Sequence, residues 1–292
     1  MKVTVFTPTY NRAPLIHNLY ESLKRQICKE FEWLVIDDGS TDNTQELFEK
    51  WMQEENSFLI RYYKQANGGK CRAINRALDF AMGELFFTVD SDDFLTDDAI
   101  LKIISWEKEL PKDQKFCGVA GNLGISEQNT PNYFFEKPFY DGTLLDRYRN
   151  VDGERALAFY TSIHRQYRYP EFDGENFMTE AVAWNRIANA GYRMRFYNDI
   201  IWIYEYQEDG LTKSGNSIFL NNPKGYGLFL REKASFLQYS LFSRLRMFYT
   251  FTCDLYNHNE SQAFFIADSI GAPRQLIWLF VAMRRIITPF KR

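Results

Sequence analysis

The feature that most constrains this chain is an apolar segment that ends abruptly in acid. Residues 83–94 read GELFFTVDSDDF, in which the run from Leu85 to Val89 is apolar and rich in residues that favour β-strands. Three carboxylates follow within four residues, those of Asp90, Asp92 and Asp93. Because such carboxylates repel one another, a fold keeps them together around a positive group or spreads them into solvent. The segment therefore favours a buried strand with a hard divalent cation at its carboxyl end.

The same acids also have a purely structural interpretation. An Asp-rich turn often precedes a helix, and Thr96 or Asp97 could be the N-cap of a helix that continues to about Glu109. Acidic residues suit this position because the positive end of the helix dipole favours negative charge. The segment alone leaves both interpretations open, so the neighbouring segments matter.

Three earlier segments share the same order of strand, polar loop and helix. Apolar, β-prone runs at 2–6, 31–36 and 58–63 are each followed by apolar residues at helical spacing. Strands that alternate with helices in this way pair in parallel through right-handed crossovers. The expected fold class is therefore α/β, with a mostly parallel, twisted, Rossmann-like sheet flanked by helices.

The polar clusters of this half of the chain all follow predicted strands. They are Thr7–Arg12, Asp37–Thr41, Asn67–Arg72 and Asp90–Asp93. In parallel sheets of this kind, ligands bind beyond the carboxyl ends of the strands. We therefore expect these loops to meet at one rim, and this convergence favours a ligand site more than any single motif does.

The residue types at this rim suit a nucleotide that carries a diphosphate. Asp38 can accept a hydrogen bond from the N3 proton of uracil, and Tyr10 can cover the face of a base. Lys70 and Arg72 can contact phosphate oxygens. Asp38 also fits a turn or a helix cap at Asp-Gly-Ser, and that interpretation stays open.

The bulk properties exclude several classes of protein. The formal net charge is −3, which argues against nucleic acid as a partner. Four cysteines lie far apart without a CxxC pair, so a reduced, cytoplasmic chain is expected. No run approaches the roughly 20 apolar residues of a membrane span.

Several well-known motifs are missing as well. Gly68-Gly69-Lys70 resembles part of a P-loop, but the earlier glycine is absent and Cys71 stands where Ser or Thr would hold magnesium. No GxGxxG follows the first strand, and neither HExxH nor GxSxG occurs. Dinucleotide binding, metalloprotease and serine-hydrolase chemistry therefore have no support.

Four motifs, in order and at their spacing, form a specific set. They are FTPTYNR at 6–12, VIDDGSTDNT at 35–44, NGGKCRAINRAL at 67–78 and GELFFTVDSDDF at 83–94. The set resembles the family 2 glycosyltransferases with the GT-A fold, over residues 2 to about 212. The resemblance implies an inverting, metal-dependent glycosyltransferase that takes a nucleotide sugar, with a UDP-sugar expected, and a divalent cation, Mn²⁺ or Mg²⁺.

The resemblance also assigns residues to the donor site. It puts the uracil-contacting acid at Asp38, with Asp37 beside it, and the metal ligand at Asp92, assisted by Asp90 and Asp93. The other residues expected to bind the nucleotide sugar are Pro8, Thr9, Tyr10, Arg12, Asn67, Lys70, Arg72 and Ser91.

A catalytic base is implied near the start of a helix downstream of the metal motif. FDGENFMTEAVAW, at 172–184, fits this position, with Glu180 as the base and Thr179 in place of the usual first acid. Glu175 is the alternative, and either acid would also suit the first turn of a helix. The segment Asp209–Thr212 matches one found near the diphosphate in such enzymes.

The predicted organisation is a GT-A domain at 1–222, with a nucleotide-binding half at 1–110 and an acceptor half at 111–222, followed by a helical, aromatic and basic region at 223–292. Residues 273–292 combine apolar residues with five Lys or Arg residues, as in helices that bind anionic membrane surfaces. The expected acceptor is a lipid-linked saccharide of surface polysaccharide synthesis, at the inner face of the membrane. Packing on the catalytic domain or on a second copy, in a homo-oligomer, is the alternative.

Two other functions compete with this interpretation. A nucleotidyltransferase should carry a Gly-rich, basic loop after the first strand, where this chain has PTYNR. A non-catalytic nucleotide-sugar-binding or scaffold protein should bind UDP without turnover. The combination of a metal motif with a candidate base favours the enzyme.

Overall fold

The structure is a computed structural model that describes residues 1–151, 153–205 and 215–287, with side chains described as far as Met283. The chain divides into two compact units. The first comprises the described residues of 1–169 and 186–210, and the second comprises those of 170–185 and 211–292. This division differs from the predicted boundary at residue 222, because segment 170–185 packs with the C-terminal helices.

The first unit begins with the predicted alternation of strands and helices. The elements are β1 (Val3–Thr9), α1 (Ile16–Arg25), β2 (Phe31–Asp37), α2 (Thr44–Gln53), β3 (Leu59–Lys64), α3 (Lys70–Phe80) and β4 (Leu85–Thr88). These strands pair in the order β3-β2-β1-β4, and every pair among them is parallel. The polar loops after β1, β2 and β4 therefore leave the sheet at the same edge.

The remaining strands extend the sheet in mixed orientation. The elements are β5 (Phe94–Leu95), α4 (Ala99–Lys108), β6 (Phe116–Gly124), β7 (Phe139–Gly142), β8 (Arg155–Tyr160), α5 (Thr161–His164), α6 (Ala181–Asn189) and β9 (Arg193–Ile203). Strand β8 lies antiparallel between β4 and β6, β9 runs parallel to β6, and β5 and β7 pair with β9 antiparallel. The predicted α/β class, with helices flanking the sheet, is confirmed.

Aromatic side chains form much of the core beneath α1 and α2. Tyr20 stacks on Trp33 of β2 with the ring centroids 5.9 Å apart, and on Trp51 with the centroids 4.2 Å apart. All seven residues of β2 are buried, as expected for a strand in the interior of a parallel sheet. This packing holds the carboxyl end of β2, where Asp37 and Asp38 lie, against the helices.

The second unit is helical after segment 170–185. Its helices are α7 (Ser217–Asn221), α8 (Pro223–Phe236), α9 (Leu241–His258), α10 (Glu260–Ile270) and α11 (Arg274–Ile287). Asn259 caps α10, and Gly271 ends it with a left-handed φ of 72°. None of the helices in the described part of the chain has the length and hydrophobicity to cross a bilayer.

Candidate active site

The loops after β1 and β2 are joined directly by Asn11. Its backbone N–H donates to the hydroxyl of Ser40 (2.9 Å), and its side-chain oxygen accepts from the N–H of Thr41 (2.7 Å). Asn11 has a φ of 52°, in the left-handed region that asparagine tolerates better than most residues. The PTYNR segment therefore turns back onto the Asp-Gly-Ser loop instead of extending into solvent.

Asp38 joins the loop after β2 to the start of α3. Its carboxylate accepts hydrogen bonds from the backbone N–H groups of Gly68 (3.0 Å) and Gly69 (2.6 Å), and from the amide of Gln65 (2.7 Å). The negative charge lies at the positive end of the α3 dipole, where it is stabilised. Gly69 adopts a φ of 91°, which a residue with a Cβ rarely adopts. Asp38 thus has a structural task, and its contact with a base stays a prediction.

Asp37 acts from below the rim. Its side chain is fully buried and accepts hydrogen bonds from the N–H of Ser40 (2.7 Å) and from the hydroxyl of Tyr62. Burial, followed by the hydrogen bond to Asp37, raises the pKa of Tyr62, so this phenol stays protonated. Both oxygens of Asp37 are thus bonded within the protein, where they shape the turn that holds Asp38, and its contact with the nucleotide stays a prediction.

The acids after β4 face the start of α3. Lys70, the first residue of α3, brings its Nζ within 2.7 Å of Oδ1 of Asp90. Burial, followed by the negative charge of Asp90, raises the pKa of Asp92, whereas the charges of Arg12 and Lys70 lower it. These residues form one electrostatic cluster at the rim, which we call the Asp90–Asp92 cluster.

Asp93 turns away from this cluster. Its Oδ2 accepts a hydrogen bond from the indole of Trp202 (2.8 Å), and its Oδ1 accepts from the N–H of Glu205 (3.2 Å). The side chain is only 8% exposed, and burial is the main cause that raises its pKa to about 7. Both oxygens of Asp93 are therefore bonded to residues on or just after β9, so the predicted role of Asp93 as a metal ligand is not supported.

Asp90 and Asp92 suit a divalent cation whose other ligands come from a bound substrate and from water. Within the described ranges, no group of three or more acidic, histidine or cysteine side chains has metal-binding geometry. A Mg²⁺-type ion is commonly held by one or two carboxylates together with substrate phosphates and water. The raised pKa of Asp92, caused by burial and by Asp90, indicates a place where added positive charge would be stabilising.

The other predicted donor residues lie on the same loops with different exposure. Tyr10 is 48% exposed, as a residue that covers a base should be, and Ser91 is buried. The hydroxyl of Thr9 is buried and has no hydrogen-bond partner among the residues described. Pro8 precedes Thr9 on β1. Asn67 is exposed, and its side-chain amide donates to the carbonyl of Asp38 (2.9 Å).

Arg72 lies in the first turn of α3 beside the glycine loop. A Cβ added at Gly68 would come within 2.7 Å of Cδ of Arg72, so the guanidinium arm runs closely over this glycine. Arg72 and Lys70 therefore both lie in the first turn of α3, where the positive end of the helix dipole favours an anion.

The two candidate bases lie in the second unit. Glu175 accepts hydrogen bonds from the N–H groups of Lys224 (2.7 Å) and Gly225 (2.9 Å), so it caps α8 with both oxygens. Glu180 is half-buried and immediately precedes α6. The structure therefore argues against Glu175 as the base. The segment Asp209–Thr212 lies outside the described residues.

Sequence reasoning missed the residues that support the site from a distance. Gln65 and Tyr62 bind the two acids after β2, and Trp202 binds Asp93 from 109 positions further along the chain. Asn11 could have been found, because an asparagine before a helix is a frequent carrier of a left-handed turn. Trp202 carried no such local signal.

A model of the family described as glycosyl transferase family 2 matches residues 4–200. The chain belongs to this family. The match covers the Asp38 loop, the glycine loop and the Asp90–Asp92 cluster, so the predicted family is confirmed.

Individual family members are similar over part of their length. The poly(ribitol-phosphate) beta-N-acetylglucosaminyltransferase TarS of Staphylococcus aureus is 31% identical over 148 residues, which is 50% of this chain and 25% of TarS. The GalNAc(5)-diNAcBac-PP-undecaprenol beta-1,3-glucosyltransferase of Campylobacter jejuni is 28% identical over 192 residues, 63% of this chain and 58% of that enzyme. The chain thus spans less than two thirds of the length of these curated relatives.

Solved structures share the fold over most of the chain. TarS 1–349 in complex with UDP-GlcNAc superposes with a TM-score of 0.62 and 20% identity, covering 89% of this chain and 73% of that one. The mannosyltransferase PcManGT of Pyrobaculum calidifontis, in complex with GDP-Man and Mn²⁺, gives 0.55 and 19%, covering 99% and 82%. At these identities the likeness establishes the fold, and the predicted GT-A architecture is confirmed.

Proposed function

We propose that this family 2 member transfers a sugar from a UDP-sugar to an acceptor hydroxyl, with inversion at the anomeric carbon. The observation that carries the proposal is a series of direct contacts between separate loops: Asn11 with Ser40, Asp38 with Gly69, and Lys70 with Asp90. These contacts unite the candidate base-binding, phosphate-binding and metal-binding residues at one edge of the sheet.

The donor would lie along this rim from base to diphosphate. Tyr10 covers the base, Asp38 accepts from its N3–H, and the buried hydroxyl of Thr9 is available for a hydrogen bond that the described residues do not supply. Lys70 and Arg72, at the start of α3, meet the diphosphate oxygens together with the helix N-terminus. The two solved relatives hold different nucleotides, UDP-GlcNAc and GDP-Man, so the base is a point to be tested.

Asp90 and Asp92 would hold a divalent cation, Mn²⁺ or Mg²⁺. When bound, such an ion neutralises the charge that develops on a diphosphate leaving group. Lys70 already supplies one positive charge to these acids, and a cation placed between the two carboxylates would relieve the repulsion that remains between them. The Mn²⁺ in the structure of PcManGT is consistent with this assignment.

The chemistry would be a single displacement. The acceptor oxygen forms a bond to the anomeric carbon while the bond from that carbon to the diphosphate oxygen breaks on the opposite face. Glu180 accepts the hydroxyl proton as the oxygen attacks. Lys70 and Arg72 stabilise the charge that the diphosphate takes up.

The acceptor would be a lipid-linked saccharide of surface polysaccharide synthesis. The name of the Campylobacter jejuni relative describes an acceptor linked to undecaprenol through a diphosphate. On α11, Trp278 is 55% exposed and Leu279 is 54% exposed, which suits peripheral contact with an anionic membrane. Flotation with phosphatidylglycerol vesicles, with and without residues 271–292, tests the membrane part of the proposal.

A thermal-shift panel of UDP, GDP and dTDP sugars, with and without Mn²⁺, tests the donor assignment. We expect UDP sugars to raise the melting temperature only when Mn²⁺ is present, and Asp92→Ala to abolish that rise, because ligand bound to the native state stabilises it. Glu180→Gln should keep the shift and lose transfer by about 10²- to 10⁴-fold.

Activity assays with the same nucleotide sugars separate the competing functions. UDP binding with no turnover of any acceptor would indicate a non-catalytic binder. Release of pyrophosphate from a nucleoside triphosphate would indicate a nucleotidyltransferase. A wild-type transfer rate in Glu180→Gln would remove Glu180 from the role of base.

A further inference from the structure

A cavity of about 600 Å³ opens in the second unit, among α7, α8 and α9. This volume lies within the range of roughly 300–1,000 Å³ that is typical of small-ligand sites. None of the residues proposed above for the donor, the cation or the base lines it. The cavity is therefore a separate feature of the helical unit.

Aromatic rings make up much of the apolar part of the wall, together with Leu220, Leu230 and Met247. Phe219 and Tyr226 stack with their ring centroids 4.1 Å apart, and Phe251 meets Tyr226 edge-on at 4.8 Å. Phe251 is 6% exposed, whereas Phe242, which also lines the cavity, is 76% exposed. The wall thus runs from packed rings, whose positions are fixed by their neighbours, to a ring that faces solvent.

Polar side chains line the cavity along α9, beside Phe242 and Phe251. Phe242, Arg246, Thr250 and Asp254 follow one another at intervals of four residues, so they share one face of the helix, and all four line the cavity. Ser243 adds a hydroxyl to the same wall. The cavity therefore offers a cation, a carboxylate and hydroxyl groups within reach of aromatic faces.

This combination identifies the chemical class of the ligand. A hydrocarbon chain would remove Arg246 and Asp254 from water without replacing their hydrogen bonds, which is costly. A sugar ring has an apolar C–H face that packs on an aromatic ring and hydroxyl groups at its edge that bond to such polar side chains. We propose that this cavity binds a saccharide unit of the acceptor, an inference that rests on the proposed transferase function.

The test uses the whole chain without donor or cation, on an array of oligosaccharides built from hexose, N-acetylhexosamine and uronic acid units. We expect wild type to bind at least one of these classes, and Phe242→Ala and Arg246→Ala to weaken that binding about tenfold or more. Phe265→Ala is the matched control, because Phe265 on α10 is 61% exposed and does not line the cavity. Its binding should equal that of wild type.

The outcomes separate this inference from the proposed function. The melting-temperature rise with a UDP-sugar and Mn²⁺ should be the same in all four proteins, and its absence in wild type would overturn the donor assignment while leaving the array result standing. No binding to any array saccharide, or equal binding by Phe242→Ala and wild type, would overturn the saccharide site. Loss of flotation with phosphatidylglycerol vesicles in Phe242→Ala, with saccharide binding intact, would assign this surface to lipid and also overturn it.

Discussion

Nζ of Lys70 lies 2.7 Å from Oδ1 of Asp90, which joins the first turn of α3 to the acidic turn after β4. The pair brings a positive charge to two acids that would otherwise repel each other, and it does so at the N-terminus of α3, where the helix dipole favours negative charge. The relationship explains how a phosphate-binding group and a metal-binding group come to share one short stretch of surface.

Replacement of Lys70 by methionine keeps the length of the side chain and removes its charge. We expect the affinity for UDP in the presence of Mn²⁺ to fall about 10- to 100-fold, because a charge-assisted hydrogen bond contributes about 1.5–3 kcal/mol. Isothermal titration calorimetry measures the affinity for UDP in both proteins. Lys102→Met is the matched control, since Lys102 pairs with Asp98 (2.9 Å) and its side chain is 29% exposed, against 27% for Lys70. An unchanged affinity in Lys70→Met would exclude Lys70 from the donor site.

Asp92 and Asp93 are neighbours in sequence but should respond differently to amidation. Asp92→Asn should lose the Mn²⁺-dependent part of UDP binding, because it removes a candidate ligand. Asp93→Asn should keep it within about threefold, because Asp93 binds Trp202 and Glu205 and its amide counterpart can still accept from the indole. UDP titrations with and without Mn²⁺ compare the two. Equal losses would return Asp93 to the ligand set.

Substitution of Glu175 should lower stability, whereas substitution of Glu180 should lower the rate of transfer. Glu175→Gln replaces one accepting oxygen of the α8 cap with an amide that faces an N–H, so we expect a loss of about 1–2 kcal/mol in the free energy of unfolding. Turnover per folded molecule should stay near wild type. Urea unfolding and transfer assays measure both quantities. Glu180→Gln is the comparison, and a turnover defect confined to Glu175→Gln would make Glu175 the base.

His164 should make stability depend on pH. It is buried among Phe86, Phe159 and Tyr169, and burial lowers its pKa from 6.5 to about 3. Between these values the unfolded state binds more protons than the folded state, so stability falls as the pH drops below 6.5. The expected loss from pH 7 to pH 5 is about 2 kcal/mol.

His164→Gln should remove this part of the pH dependence, because glutamine does not titrate in the range. Urea unfolding at pH 7, 6 and 5 measures it, with His17→Gln as the control, since His17 is exposed on α1. An equally steep pH dependence in His164→Gln and wild type would contradict the assignment to His164.

The regular elements of the first unit were predictable because their signals are local. The strand that begins at Leu85 and the helix that begins at Lys70 follow from apolar patterns of a few residues. The start of α2, at Thr44, was less predictable. The Asp42 carboxylate accepts from the N–H groups of both Thr44 and Ala13, so a contact with another loop sets the boundary.

Strands β5 and β7 were not predictable for a related reason. Strand β5 has only two residues, and β7 lacks the apolar run that marks the equally short β4, so both depend on β9 for their hydrogen-bond partners. In the same way Glu175 reads locally as an acid near a helix start. Its identity as the cap of α8 depends on Gly225, which lies 50 positions further along the chain.

The sequence by itself determined the alternation of strands and helices, the edge at which the polar loops emerge and the family to which the chain belongs, because hydrophobic periodicity and turn chemistry act over a few residues. Only the tertiary structure decided that Asp90 faces Lys70 whereas Asp93 faces Trp202. The role of a carboxylate depends on the hydrogen-bond donors and charges around it. In this protein those groups lie on helices and strands that are distant in sequence and come close only in the folded chain.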